Sequence, residues 1–165
     1  MISFELDTVG ELLTRLRIDK EYETLDQKYA QFRDMGIRSG QAEHAMALAA
    51  FVRKDYAKGL EAIERALEVE PDNRVFKMNK ALFLVACGRG ADAGEIFAMI
   101  PVKEGESELY KAARAMADYA RFQLGSADVD RSHLIDSLMQ VRTSRSLHWL
   151  GIRPFDVTVA LMRTR

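Results

Sequence analysis

Apolar residues along this chain recur with the 3.6-residue period of helices, in short runs separated by turn residues. Over 41–53 (QAEHAMALAAFVR), Ala42, Ala45, Met46, Ala49 and Ala50 fall at helical spacing, and Lys54-Asp55 makes a short turn. From Tyr56 a second stripe follows, made of Leu60, Ile63, Ala66 and Leu67. Pro71 stands shortly after it, where a helix cannot continue. Pro101 and Pro154, with Gly36/Gly40, Gly88/Gly90, Gly105 and Gly125, separate the other periodic stretches. Almost every segment is therefore expected to be helical.

This two-helix pattern returns at a constant offset, the distance from Ala47 to Ala81. By the same shift Ala50 maps onto Leu84, Gly59 onto Ala93, Ile63 onto Phe97 and Ala66 onto Ile100. In the other direction Leu13, Leu16, Tyr22, Leu25, Tyr29 and Phe32 fall on the same lattice. The pattern predicts one domain over 1–165, with helical hairpins at 6–39, 40–73 and 74–105. Beyond Gly105 the phase is expected to slip. Leu109, Ala113, Ala117, Ala120 and Leu124 form one amphipathic stripe; Leu134, Leu138 and Val141 form another, with Asp130 or Ser132 as its N-cap. Residues 106–146 read as a divergent last hairpin that closes the exposed core, because terminal repeats must do so. The tail 147–165, with Trp149, Phe155 and Val157, is too apolar for a free end.

A 34-residue unit of two helices is the tetratricopeptide spacing, and the chain resembles a tetratricopeptide-repeat protein. The unit 40–73 carries the resemblance best, through Ala47, Tyr56, Ile63, Ala66 and Pro71. It departs at Glu43, where the family favours Trp, at Ala50, where it favours Tyr, and at Gly59, where it favours Ala. The next unit keeps Ala81, Gly88, Ala93 and Phe97, but Pro101 comes four residues early, so that repeat should end short. The unit 6–39 keeps size and phase but few signature residues. In outline the chain is also similar to small bacterial type III secretion chaperones, which share its size and repeat count.

The resemblance implies an all-α, right-handed stack of about three helical hairpins with a C-terminal cap. It also implies that the first helix of each pair lines a concave groove. That assigns His44, Leu48, Phe51 and Val52 to the groove from one repeat, and Val75, Met78, Asn79, Leu82 and Val85 from the next. The corresponding earlier residues, Gly10, Thr14, Arg17 and Ile18, are more polar. Family members that clamp a partner's C-terminal carboxylate use Lys, Asn and Arg on this face. Here only Asn79 matches, while His44 and Leu48 replace a lysine and an asparagine, which disfavours that mode. The implied partner is a protein or peptide client with an apolar helix or extended segment. A scaffold subunit whose groove is filled by the chain's own tail, and a structural homodimer of two copies, stay open beside it.

Composition narrows the partners. With 24 basic and 25 acidic side chains the net charge is −1, so no global field attracts nucleic acid or an anionic membrane. Residues 1–73 carry a net charge of −5 and residues 74–165 a net charge of +4, which reads as solvated faces with a mild dipole. The single cysteine, Cys87, cannot close an internal disulfide and fits a reducing compartment. The start, Met1-Ile-Ser-Phe-Glu-Leu-Asp, lacks the basic and apolar regions of an export signal. No apolar run approaches the roughly 20 residues that span a bilayer. A cytoplasmic protein without membrane insertion is expected.

Candidate chemistry is thin. The stretch 81–94 (ALFLVACGRGADAG) could be read as a buried strand followed by a glycine-rich phosphate turn, making the chain a nucleotide-binding regulator through Gly88–Gly94. Its glycines, however, land where the repeat places its inter-helix turn, and no later strand carries a suitably placed acid. His44, His133 and His148 form no metal-ligand pair. Cys87 reads as a small buried hydrophobe, and Glu61, Glu64 and Glu68 as solvated surface. No nucleophile, base and orienter come together, so neither an enzyme nor a cofactor or metal site is expected.

Overall fold

The computed structural model describes the backbone of residues 2–143 and the side chains of residues 8–143; the apolar tail expected over 147–165 lies outside the described residues. Among those residues the chain is entirely helical. The elements are α1 (Ile2–Ile18), α2 (Tyr22–Asp34), α3 (Gly40–Val52), α4 (Tyr56–Val69), α5 (Arg74–Ala86), α6 (Gly90–Ala98), α7 (Glu108–Gln123) and α8 (Arg131–Val141). Short turns and loops connect them in sequence.

The repeat period is written into the helix boundaries. The first helices α3, α5 and α7 begin at Gly40, Arg74 and Glu108, and the second helices α2, α4 and α6 at Tyr22, Tyr56 and Gly90, each one period after the last. Phase therefore survives past Gly105, further than the apolar pattern suggested. The slip comes after α7, which runs 16 residues where α3 and α5 run 13. Leu124, expected on the buried stripe of α7, is instead its C-cap and is 76% exposed. As Pro101 implied, α6 is short, nine residues ending at Ala98.

Local chemistry starts and stops these helices. Ser39, Asp55, Ser107 and Asp130 each accept a hydrogen bond from the backbone N–H three residues on, and Asn73 does the same for Phe76 at 3.2 Å. At the other end, α1, α3 and α5 close with one repeated turn. Lys20, Lys54 and Gly88, again spaced by the repeat period, sit in the left-handed region at φ 62°, 64° and 75°. In the α3 turn the N–H of Lys54 donates to the carbonyl of Phe51 and that of Asp55 to Ala50, the double bond pattern of a Schellman stop. Gly88 and Arg89 repeat it with Val85 and Leu84. A left-handed residue suits glycine and costs a lysine about 1 kcal/mol.

Residue contacts group the chain into two compact units, 1–83 and 84–165, the division falling inside α5 after Phe83. In the first unit α3 packs against α1, α2 and α4. Leu13, Leu25, Ala47, Ile63 and Phe83 are fully buried there. Gly59 explains one departure from the family pattern: a Cβ at this position would collide with the Phe83 ring, coming within 3.0 Å of both Cδ1 and Cζ. In the second unit α7 packs against α6 and α8 around Phe97, Leu134 and Leu138. Arg114 ties that packing together. Its guanidinium donates to the carbonyls of Phe97 and Ile100 at 2.8 and 3.0 Å, satisfying the end of α6, and pairs with buried Glu106 at 3.0 Å.

The alternative of a strand before a phosphate turn is corrected here. Residues 81–86 are the last turns of α5, and no strand occurs among the described residues. The first turn of α6 carries Asp92, held by Arg89 at 2.7 Å, so a carboxylate already stands where a phosphate would approach.

Candidate partner-binding face

The residues assigned to the groove divide into three groups. Val52 and Val75 are open to solvent, at 59% and 51% exposure. His44, Leu48 and Phe51 are half-buried. Met78, Asn79, Leu82 and Val85 are buried, the first three at 4% exposure. Two of the nine assigned residues are thus open to solvent and four are buried.

Side-chain contacts within the first unit account for part of that burial. The amide of Asn79 meets His44 Nε2 at 2.7 Å, and the imidazole lies against Phe76 with ring centroids 5.0 Å apart. With the Asn79 amide donating, Nε2 accepts and the ring is neutral. Burial holds the His44 pKa below the ordinary histidine value, and the nearby charge of Arg17 acts in the same direction. Phe51 turns its ring onto Phe83, edge-on at 5.2 Å, and onto Tyr56 at 5.7 Å. Its area thus goes largely to the α3–α4–α5 packing.

A polar network escaped the sequence reading. Glu43, where the family favours Trp, is only 7% exposed. It accepts from the Tyr29 hydroxyl at 2.6 Å and from Arg65 Nε at 3.0 Å. Tyr29 Oη in turn accepts from Arg33 and Arg65, each at 3.2 Å. A buried carboxylate must be paired, and the partners come from α2 and α4. Burial first, then the adjacent Glu43 carboxylate, pushes the Tyr29 phenol above its usual pKa, so it stays protonated and donates. The signal in the sequence was the acid itself, standing on an otherwise apolar lattice position.

Cys87 is half-buried, and burial raises its thiol pKa more than Arg89 lowers it, which disfavours the reactive thiolate. Among the described residues no group of three His, Cys, Asp or Glu could hold a metal ion, and no helix is long and apolar enough to cross a membrane.

Residues 37–117 match the tetratricopeptide repeat family. This stretch carries tetratricopeptide repeats. The matched span runs from the α2–α3 loop into α7 and so takes in the starts of the three evenly spaced first helices. No curated protein and no solved structure is significantly similar to the chain. Tetratricopeptide repeats generally mediate protein–protein interactions, and the family is typically a non-enzymatic scaffold.

Proposed function

We propose that the protein is a non-enzymatic adaptor or chaperone that captures an apolar helix or extended segment of a client protein on the first-helix face of its repeats. The observation that carries this reading is where the first unit leaves apolar side chains in water. Among the described residues its exposed large hydrophobics are Leu12, Ile18, Met35, Val52, Val69 and Val75, and four of these six lie on first helices. Ile18 and Val52 occupy the same position of successive repeats. With Met78 and Leu82 buried, the client would seat on the rim formed by Leu48, Val52 and Val75. Each such side chain it covers fully is worth roughly 1.5–3 kcal/mol. Reversible capture of this kind keeps a client's apolar segment soluble until assembly.

The test compares wild type with Leu48→Asp/Val75→Asp, first shown by circular dichroism to stay folded. Partners co-purified from the native source are identified by mass spectrometry, then remade and titrated against both proteins. A purified partner that binds wild type and loses at least tenfold in affinity for the variant supports the adaptor. Binding equal for both proteins overturns the assignment of the face. A wild-type dimer that the variant converts to monomer, with no partner found, replaces the adaptor with a homodimer.

A further inference from the structure

Where the end of α2, the α2–α3 loop and α4 meet, the first unit has a partly open cavity of about 180 Å³. Arg33, Arg38 and Arg65 line it, beside Glu43 and Glu68. Residues 1–73 are net acidic, so this cluster is a local exception to its surroundings. The Tyr29–Glu43 network fixes two of the three cations from behind, through Arg33 Nη1 and through Arg65 Nε and Nη2. Arg65 Nη1 makes no hydrogen bond to a described residue. Arg38, in the loop, has no ionic partner among the described residues.

We infer that this cavity receives a single carboxylate, that of a glutamate side chain on a partner protein. Charge and shape select the occupant. Three cations against two anions leave one unit of positive charge, which a carboxylate balances and a dianionic phosphate overshoots. The planar fork of Arg38 and the remaining Nη1 of Arg65 can meet a carboxylate's two oxygens. Ile37 and Val69 supply an apolar wall for the methylenes that carry it. The assignment rests on the reading that this protein binds another polypeptide, but it uses second helices and a loop rather than the first-helix face.

The test uses the whole protein and a minimal probe, N-acetyl-glutamate N-methylamide, followed through arginine side-chain NMR signals. Saturable, millimolar shifts of the Arg38 and Arg65 Nε resonances are expected with this probe and not with the glutamine analogue. Arg38→Gln, at an exposed and unpaired position, should keep the fold and weaken binding by about tenfold, as loss of a charge-assisted pair predicts. Leu48→Asp/Val75→Asp should bind the probe as wild type does, so the cavity and the first-helix face fail or succeed separately. Absence of saturation, an equal response to glutamine, or an unchanged Arg38→Gln titration overturns the inference. Inorganic phosphate binding more tightly than the glutamate probe overturns the choice of a carboxylate.

Discussion

Replacing Gly59 by alanine should destabilise this protein, although helix propensity and the family pattern both favour alanine there. In a helix interior the change by itself gains about 1 kcal/mol. Opposing it, the new methyl would collide with Phe83, whose Cδ1 and Cζ lie only 3.0 Å from the site a Cβ would take. Phe83 is fully buried and is held edge-on by Phe51 at 5.2 Å, so the ring has nowhere to swing. Overpacking of a closed core costs about 1–3 kcal/mol. The clash therefore wins, with a net loss on the order of 1 kcal/mol.

The partner residue makes the reasoning testable. Phe83→Leu removes the ring atoms that oppose the methyl, at a cost of its own. In that background Gly59→Ala should become neutral or stabilising by up to about 1 kcal/mol, as propensity alone predicts. Urea unfolding of the four proteins, followed by circular dichroism, yields the coupling energy, expected at about 1–3 kcal/mol for residues in direct contact. An effect of Gly59→Ala with the same sign and size in both backgrounds would refute the account of Gly59 as space for Phe83.

Two further outcomes follow from local geometry and burial. Lys54→Gly, at φ 64°, should stabilise the protein by about 0.5–1 kcal/mol in the same assay, whereas Lys58→Gly inside α4 should destabilise it by a similar amount. His44 is held neutral by burial, so its folded pKa lies below that of the unfolded chain, which near pH 6.5 binds the proton more readily. Stability should therefore be at its full value above that pH and fall as pH drops through it. The urea midpoint of wild type between pH 8 and 5 should show this slope, and His44→Gln should flatten it; identical slopes would remove His44 as the cause.

The fold was legible because backbone and burial repeat together. Leu13, Ala47, Ala81 and Ala115 recur at the repeat period and are all buried, and the left-handed turns at Lys20, Lys54 and Gly88 keep the same spacing. The alanines at three of those positions and the glycine at 88 are visible in the sequence itself. The binding face was less legible, and α5 shows why. Five consecutive residues, Ala81 to Val85, are buried, so this stretch of α5 is apolar on every side and its pattern cannot say which side faces a groove. Leu82 and Val85 were read as groove residues by lattice position alone.

Two of the three departures from the family pattern, Gly59 and Glu43, carried more information than the matches, because each is coupled to a residue distant in sequence. Gly59 has its reason in Phe83, on another helix. Glu43 has its reason in Tyr29 and Arg65, 14 and 22 residues away. An isolated buried carboxylate would be prohibitive, so the acid at 43 requires a cation and a donor to converge on it. That convergence brings Arg33 and Arg65 to the walls of one cavity. Where a tryptophan would present an apolar surface to that space, Glu43 leaves it polar and lined by oriented guanidinium groups. One substitution on the lattice thus changes both the chemistry of the packing and the ligand its neighbouring cavity suits.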